Sequence, residues 1–229
     1  MADATANVTR KATLGLMQLV VVIGLLLFAP AGSLRFIEGW IFLALFSGSS
    51  LAITIYLAKK DPVLLTRRIQ AGPVAEKEWN QKIIQGVASV AFVSTIIVPA
   101  FDHRFGWSHA PLPALIAGDL LVAVGFLIVF LVFRENTFTS AAIEVSAEQR
   151  VIDTGPYSVV RHPMYAGGLV LVAGIPLALG SVVGLVTFPP FAAVIAWRLL
   201  NEERFLAEYL AGYAAYREKV RHRLVPGVW

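Results

Sequence analysis

The 229-residue chain contains no cysteine. Disulfides, thiolate metal sites and catalytic thiols are therefore excluded. Charge is scarce as well, at 15% of residues against 57% hydrophobic ones. Soluble domains carry roughly 25% charged residues, so a soluble globular protein is excluded too. No two glycines are separated by a single residue, and neither a P-loop nor an HExxH sequence occurs. The glycine-rich phosphate cradles of soluble nucleotide-binding folds are thus missing. There is no internal repeat and no low-complexity linker. The formal net charge of +4 is spread over loops and forms no patch suited to nucleic acid.

Long apolar runs are what the chain has. Six segments are predicted to be membrane helices, at roughly Thr13–Ala29, Trp40–Ala58, Ile83–Ala100, Leu112–Phe133, Met164–Leu179 and Val182–Leu200. Each approaches or reaches the ~20 residues that cross a bilayer. The expected fold is all-α and polytopic. The first segment ends in Ala29-Pro30-Ala31, a cleavage-like sequence, but its apolar stretch exceeds a signal-peptide core and reads as an uncleaved anchor. Of the 19 Lys and Arg residues, all but Arg35 and Arg104 fall in alternate loops or the termini on one side. The positive-inside rule then puts both termini in the cytoplasm.

The last two segments are short and separated by Gly180-Ser181 alone, the pattern of a tight helical hairpin. Pro176 is expected to kink its first arm and Pro189-Pro190 its second. Gly180 and Gly184 have the small-xxx-small spacing of close helix packing. Beyond Leu200 aromatic residues alternate with charges through Tyr216, which predicts a cytoplasmic amphipathic helix ended by Pro226.

Four polar sets stand out. The stretch GPYSVVRHPMYAGG, residues 155–168, opens the hairpin. It reads either as a rigid helix entrance, with Arg161 snorkelling and the tyrosines in the interfacial belt, or as a pocket rim of Arg, His and two Tyr. Arg198 and Glu202 share a helical face, either as an intrahelical pair or at a pocket mouth. Asp119 lies alone in the fourth segment. His103 and His109 lack the further ligands of a metal site and read as loop residues.

GPYxxxRHPxY, followed by Arg198, Glu202-Glu203 in EExxL and then Tyr213 and Tyr216, resembles the isoprenylcysteine carboxyl methyltransferase family. These are integral-membrane methyltransferases with phospholipid N-methyltransferases as relatives. The resemblance covers roughly residues 134–226 and divides one membrane domain into four N-terminal segments (1–133) and a cofactor-binding core (134–229). It implies S-adenosylmethionine as cofactor, in a cytoplasmic pocket closed by the hairpin and the C-terminal helix. Matched to the family position by position, Gln149, Arg150, Val151 and Ile152 contribute backbone contacts. Tyr157, His162, Pro163, Met164, Tyr165 and Glu202 contact the cofactor, and Arg198 serves the methyl-accepting group as catalytic and substrate-binding residue. A glutamine of the family either is replaced here by Ser146 or has no counterpart, and a Leu-Ala-Gly stretch one residue shorter replaces the Phe-Gly before Tyr213.

Function then divides into three readings. Methylation of a lipophilic carboxylate needs no base. Methylation of a phospholipid amine calls for one, such as Glu203 or His162. A transporter or scaffold that kept the fold is the non-enzymatic alternative. Membrane lipids and a lipophilic or lipidated acceptor are the expected partners, with no metal and no nucleic acid.

Overall fold

The computed structural model describes residues 2–69, 78–139 and 149–229, with side chains from residue 8 onward. Ser146 and Lys77 lie outside this set. Eight α-helices occur among the described residues. They are α1 (Ala2–Ala31), α2 (Ile37–Lys60), α3 (Pro62–Ile69), α4 (Trp79–Phe105), α5 (Leu112–Glu135), α6 (Pro163–Ala178), α7 (Phe188–Tyr209) and α8 (Tyr213–Lys219). Single 3-10 turns at Gly155–Ser158 and Val183–Thr187 precede α6 and α7.

Five helical runs, Val8–Ala31, Ile37–Lys60, Trp79–Phe105, Leu112–Glu135 and Val183–Tyr209, are long and apolar enough to cross a membrane. Their outward faces expose residues such as Val21, Leu25, Val90 and Leu120, as expected where lipid takes the place of water. The fifth expected segment differs. α6 has 16 residues and, at ~1.5 Å per residue, spans about 24 Å, less than the ~30 Å hydrocarbon core. Pro163 fixes its start, and the left-handed Gly180 (φ +77°) turns the chain just past its end.

Three other expectations are corrected. Pro189 and Pro190 do not kink an arm, because they occupy the first turn of α7, where a missing N–H costs nothing. The helical stretch expected from Leu200 to Pro226 is divided in two. α7 runs unbroken to Tyr209, the left-handed Gly212 (φ +83°) turns the chain, and the short α8 ends at Lys219, before Pro226. His103 belongs to the last turn of α4, where it stacks on Phe36 with ring centroids 4.1 Å apart.

The most extensive helix contact is that of α5 with α6. Gly118 and Gly125 on α5 face Gly167 and Gly174 on α6, each pair seven residues apart and so on one face. A Cβ on Gly125 would sit 2.6 Å from the backbone nitrogen of Leu171, and one on Gly174 2.6 Å from the carbonyl of Gly118. These glycines, not Gly180 and Gly184, make the close helix pair. Gly184 instead accommodates the Pro99 ring, 2.7 Å from where its Cβ would lie. Gly125→Val is expected to destabilise the protein by about 1–3 kcal/mol through overpacking, seen as a lower denaturant midpoint in detergent. An unchanged midpoint would contradict this backbone contact.

A polar clasp holds the hairpin tip. The Asp102 carboxyl group, 1% exposed, accepts hydrogen bonds from Ser108 N, Ser108 Oγ and Ser181 Oγ. Ser108 Oγ in turn accepts from Val182 N and Val183 N, each at 3.0 Å. Asp119 is half-buried in α5, and its Oδ1 has no hydrogen-bond partner among the described residues.

Candidate active site

The opposite end of the hairpin is built on an ion cluster. Glu203 is 4% exposed and accepts from Arg161 Nε at 2.7 Å and from Arg223 Nε at 2.9 Å. His162 Nε2 lies 3.3 Å from the same carboxylate. Arg161 also donates to the carbonyls of Val220 and Arg221 through Nη1. The backbone N–H groups of Arg161 and His162 donate to His222 and Arg223 carbonyls. A buried charge persists only when paired and hydrogen-bonded, and these residues do both jobs for one another. Arg161 therefore does not snorkel to lipid. It ties the C-terminal tail to the entrance of α6.

The turn at Gly155–Ser158 brings Tyr157 to the same place. Gly155 has φ +56°, and a Cβ there would lie 2.9 Å from the Glu135 carboxyl group. Glycine is thus required by both conformation and space. Thr154 Oγ1 donates to Glu135 Oε1, fastening the turn to the end of α5. Asn136 Nδ2 donates to the Tyr157 hydroxyl at 3.1 Å, and Tyr216 donates to the Tyr157 carbonyl at 2.7 Å. Leu210, Tyr213, Tyr216 and Val220 pack with Val151, Tyr157 and Leu206, closing this face. Burial raises the ionisation of Tyr157, Tyr213 and Tyr216 well above the ordinary tyrosine range, so their hydroxyls remain protonated donors.

Between these walls lies a cavity of about 600 Å³, within the size range of small-molecule sites. The residues that the resemblance assigns to cofactor and acceptor all line it: Gln149, Arg150, Val151, Ile152, Tyr157, His162, Pro163, Met164, Tyr165, Arg198 and Glu202. Arg198 and Glu202 are joined through a third residue. The Tyr165 hydroxyl donates to Glu202 Oε2 at 2.5 Å and accepts from Arg198 Nε at 3.2 Å. Tyr165 stands one turn into α6, and the other two stand one turn apart on α7. The two hairpin arms thus meet at one hydroxyl. Tyr213 also lines the cavity, and its buried hydroxyl has no hydrogen-bond partner among the described residues.

Sequence reasoning missed much of the lining. Val22, Ile23 and Leu26 of α1, Ala88 and Phe92 of α4, and Phe191 and Ile195 of α7 form an apolar side. Arg68 of α3 also lines the cavity, although in the sequence it reads only as a loop charge. Periodicity marks such residues as core, and nothing local distinguishes a core face from a cavity wall.

The sequence pattern of the phospholipid methyltransferase family matches residues 113–212. That family is one of integral-membrane methyltransferases. It is related to the isoprenylcysteine carboxyl methyltransferases. The match starts with α5, one helix earlier than the sequence motifs suggest, and ends before Tyr213. It therefore contains the glycine-packed helix pair, the Gly155 turn, the ion cluster's Arg161, His162 and Glu203, and the Tyr165–Arg198–Glu202 bridge. No curated protein matches the chain significantly.

Proposed function

We propose that the chain is an S-adenosylmethionine-dependent methyltransferase of one membrane domain, acting on a lipophilic acceptor at a carboxylate. One observation carries the choice of acceptor. Glu203 and His162, the residues an amine acceptor would draw on as base, are bound into the buried cluster with Arg161 and Arg223. Glu202 accepts a hydrogen bond from Tyr165. A carboxylate acceptor needs no proton removed, so it suits a site whose acids and imidazole are engaged in this way.

The cavity fits the cofactor in chemistry as well as size. Glu202 suits an ammonium group or ribose hydroxyls, and the Tyr213 hydroxyl, without a partner among the described residues, is a donor for a further polar group. Backbone groups of Gln149, Arg150, Val151 and Ile152, with Tyr157, His162, Pro163, Met164 and Tyr165, supply the remaining wall. When bound, the cofactor supplies an electrophilic methyl group on a sulfonium sulfur, which departs as a neutral thioether. Arg198 holds the acceptor carboxylate, leaving one oxygen free to point at the methyl carbon. Tyr165, bonded to both Arg198 and Glu202, fixes the distance between the acceptor and cofactor ends. Catalysis is then placement, and orientation alone can supply roughly 7–11 kcal/mol. The apolar side formed by α1, α4 and α7 receives the acceptor's hydrocarbon part. The asymmetry of Lys and Arg supports a cytoplasmic opening and cytoplasmic termini.

Amine methylation of a phospholipid is the second reading, favoured by the description of the matched family. A transporter or scaffold is the non-enzymatic one. Purified protein incubated with methyl-labelled cofactor and native membrane lipids separates all three. Label that is released by mild alkali as methanol is expected, since methyl esters hydrolyse. Alkali-stable label would establish N-methylation, and no transfer to any lipid would favour the non-enzyme.

A further inference from the structure

We propose that Gln85 determines acceptor specificity, its carboxamide hydrogen-bonding an acyl carbonyl, of an amide or an ester, that the acceptor carries near its methyl-accepting carboxylate. The proposal rests on the carboxylate reading above. It concerns α4, a wall of the cavity that lies outside the family-matched region.

α4 presents one stripe to the cavity. Gln85, Ala88, Ser89 and Phe92 follow one another at helical spacings, so they share a face, and all four line the cavity. With α1 and the first turns of α7 this face forms the apolar side, and Gln85 and Ser89 are its polar members. Ser89 Oγ uses its proton within its own helix, donating to the Gln85 carbonyl at 2.7 Å. The half-buried Gln85 carboxamide forms no hydrogen bond among the described residues. It offers one acceptor and two donors. A polar group among apolar neighbours is costly unless something pairs with it.

The depth of Gln85 follows from the register of two helices. Gly184, in the turn before α7, accommodates Pro99 of α4. Phe191 meets Phe92 with ring centroids 6.4 Å apart. These contacts come in reverse order along the two segments, so α4 and α7 are antiparallel, and they stand seven residues apart on each. Seven more, two helical turns or about 10 Å, bring Gln85 level with Arg198, where Tyr165 joins the hairpin arms. The same spacing keeps Gln85 and Arg198 on the faces of Phe92 and Phe191, and all four residues line the cavity. Axes of packed helices stand about 8–10 Å apart, so a group bound by Gln85 lies a few atoms from one held at Arg198. The carboxamide carries no charge to match a second anion. A carbonyl oxygen suits its NH2 group, and an amide N–H suits its Oε1 as well.

The test uses the full-length protein in detergent and three carboxylates of equal chain length: nonadecanoate, N-hexadecanoylglycine and O-hexadecanoylglycolate. The last two carry an amide and an ester near the carboxylate. Each affinity is read relative to nonadecanoate, which cancels the shared carboxylate and chain. Gln85→Leu is expected to lower that ratio about 3- to 10-fold for both carbonyl probes, the effect of one hydrogen bond. A greater fall with the amide adds its N–H to the contact. S-adenosylmethionine affinity should stay that of wild type. The nearly isosteric Gln85→Met reads the same loss if the leucine variant does not fold. A folded variant whose ratio for either probe equals that of wild type would overturn the proposal. So would a variant that loses cofactor binding instead, since Gln85 would then serve the cofactor. A wild type that binds no cofactor, with the ratio falling as expected in the variants, would remove the methyltransferase reading and leave the carbonyl subsite standing.

Discussion

Glu203→Ala is expected to destabilise the folded protein by about 3–5 kcal/mol, the usual result of removing one partner from a buried ion pair. Three basic groups converge on this carboxylate: Arg161, His162 and Arg223. Arg161 and His162 are 7% and 5% exposed, so water cannot replace the lost acceptor. The damage should also spread along the chain. Arg161 holds the Val220 and Arg221 carbonyls, and the tail from Val220 to Trp229 docks beside residues 161 and 162. Limited proteolysis should therefore cut the variant near Val220 well before it cuts wild type, and its thermal midpoint should fall. A midpoint and a cleavage pattern like those of wild type would show that Glu203 does not hold this end of the protein.

Arg198→Ala is expected to lower turnover by about 10²–10³-fold, the size of effect seen when one aligned donor is removed from a reaction site. Cofactor affinity should change little, because Glu202 and the wall from Gln149 onward remain. Arg198 is 6% exposed, and its Nε donates to the Tyr165 hydroxyl. Its loss frees the tyrosine but leaves the Tyr165–Glu202 bond. Arg198→Lys keeps the charge and loses the planar fork, so an intermediate loss is expected. Turnover and cofactor affinity falling together would assign Arg198 to the cofactor or the fold.

The sequence and the structure agree where local chemistry is strong. Five long apolar runs were legible because length and hydropathy suffice, and the hairpin because only Gly180-Ser181 interrupts the apolar sequence between its arms. Much of the polar cavity wall was legible through motif residues, since Gln149, Arg150, Val151, Ile152, Tyr157, His162, Pro163, Met164, Tyr165, Arg198 and Glu202 all line one cavity. What was not legible depends on contacts distant in sequence. Glu202 and Glu203 are adjacent and chemically alike, yet one faces the cavity and the other the ion cluster. Only the approach of Arg161 and the C-terminal tail separates them. The prolines at 189 and 190 read as a kink because the 3-10 turn at Val183–Thr187, which delays the helix start to Phe188 and so puts them in its first turn, leaves no sequence signal. Arg68 was hidden for a similar reason. In a loop rich in basic residues it counts towards topology, and only the burial of Leu64 and Leu65 turns it inward. The glycine pairs of α5 and α6 could have been found, since 118 with 125 and 167 with 174 keep the same spacing of seven.

Titration calorimetry of S-adenosylmethionine into the purified full-length protein in detergent, wild type beside Glu202→Gln, tests the central claim most directly. A saturable one-to-one isotherm is predicted for wild type, weakened in the variant by about 1.5–3 kcal/mol as a charged hydrogen bond is lost. A folded wild-type protein that gives no saturable binding at high concentration would contradict the account.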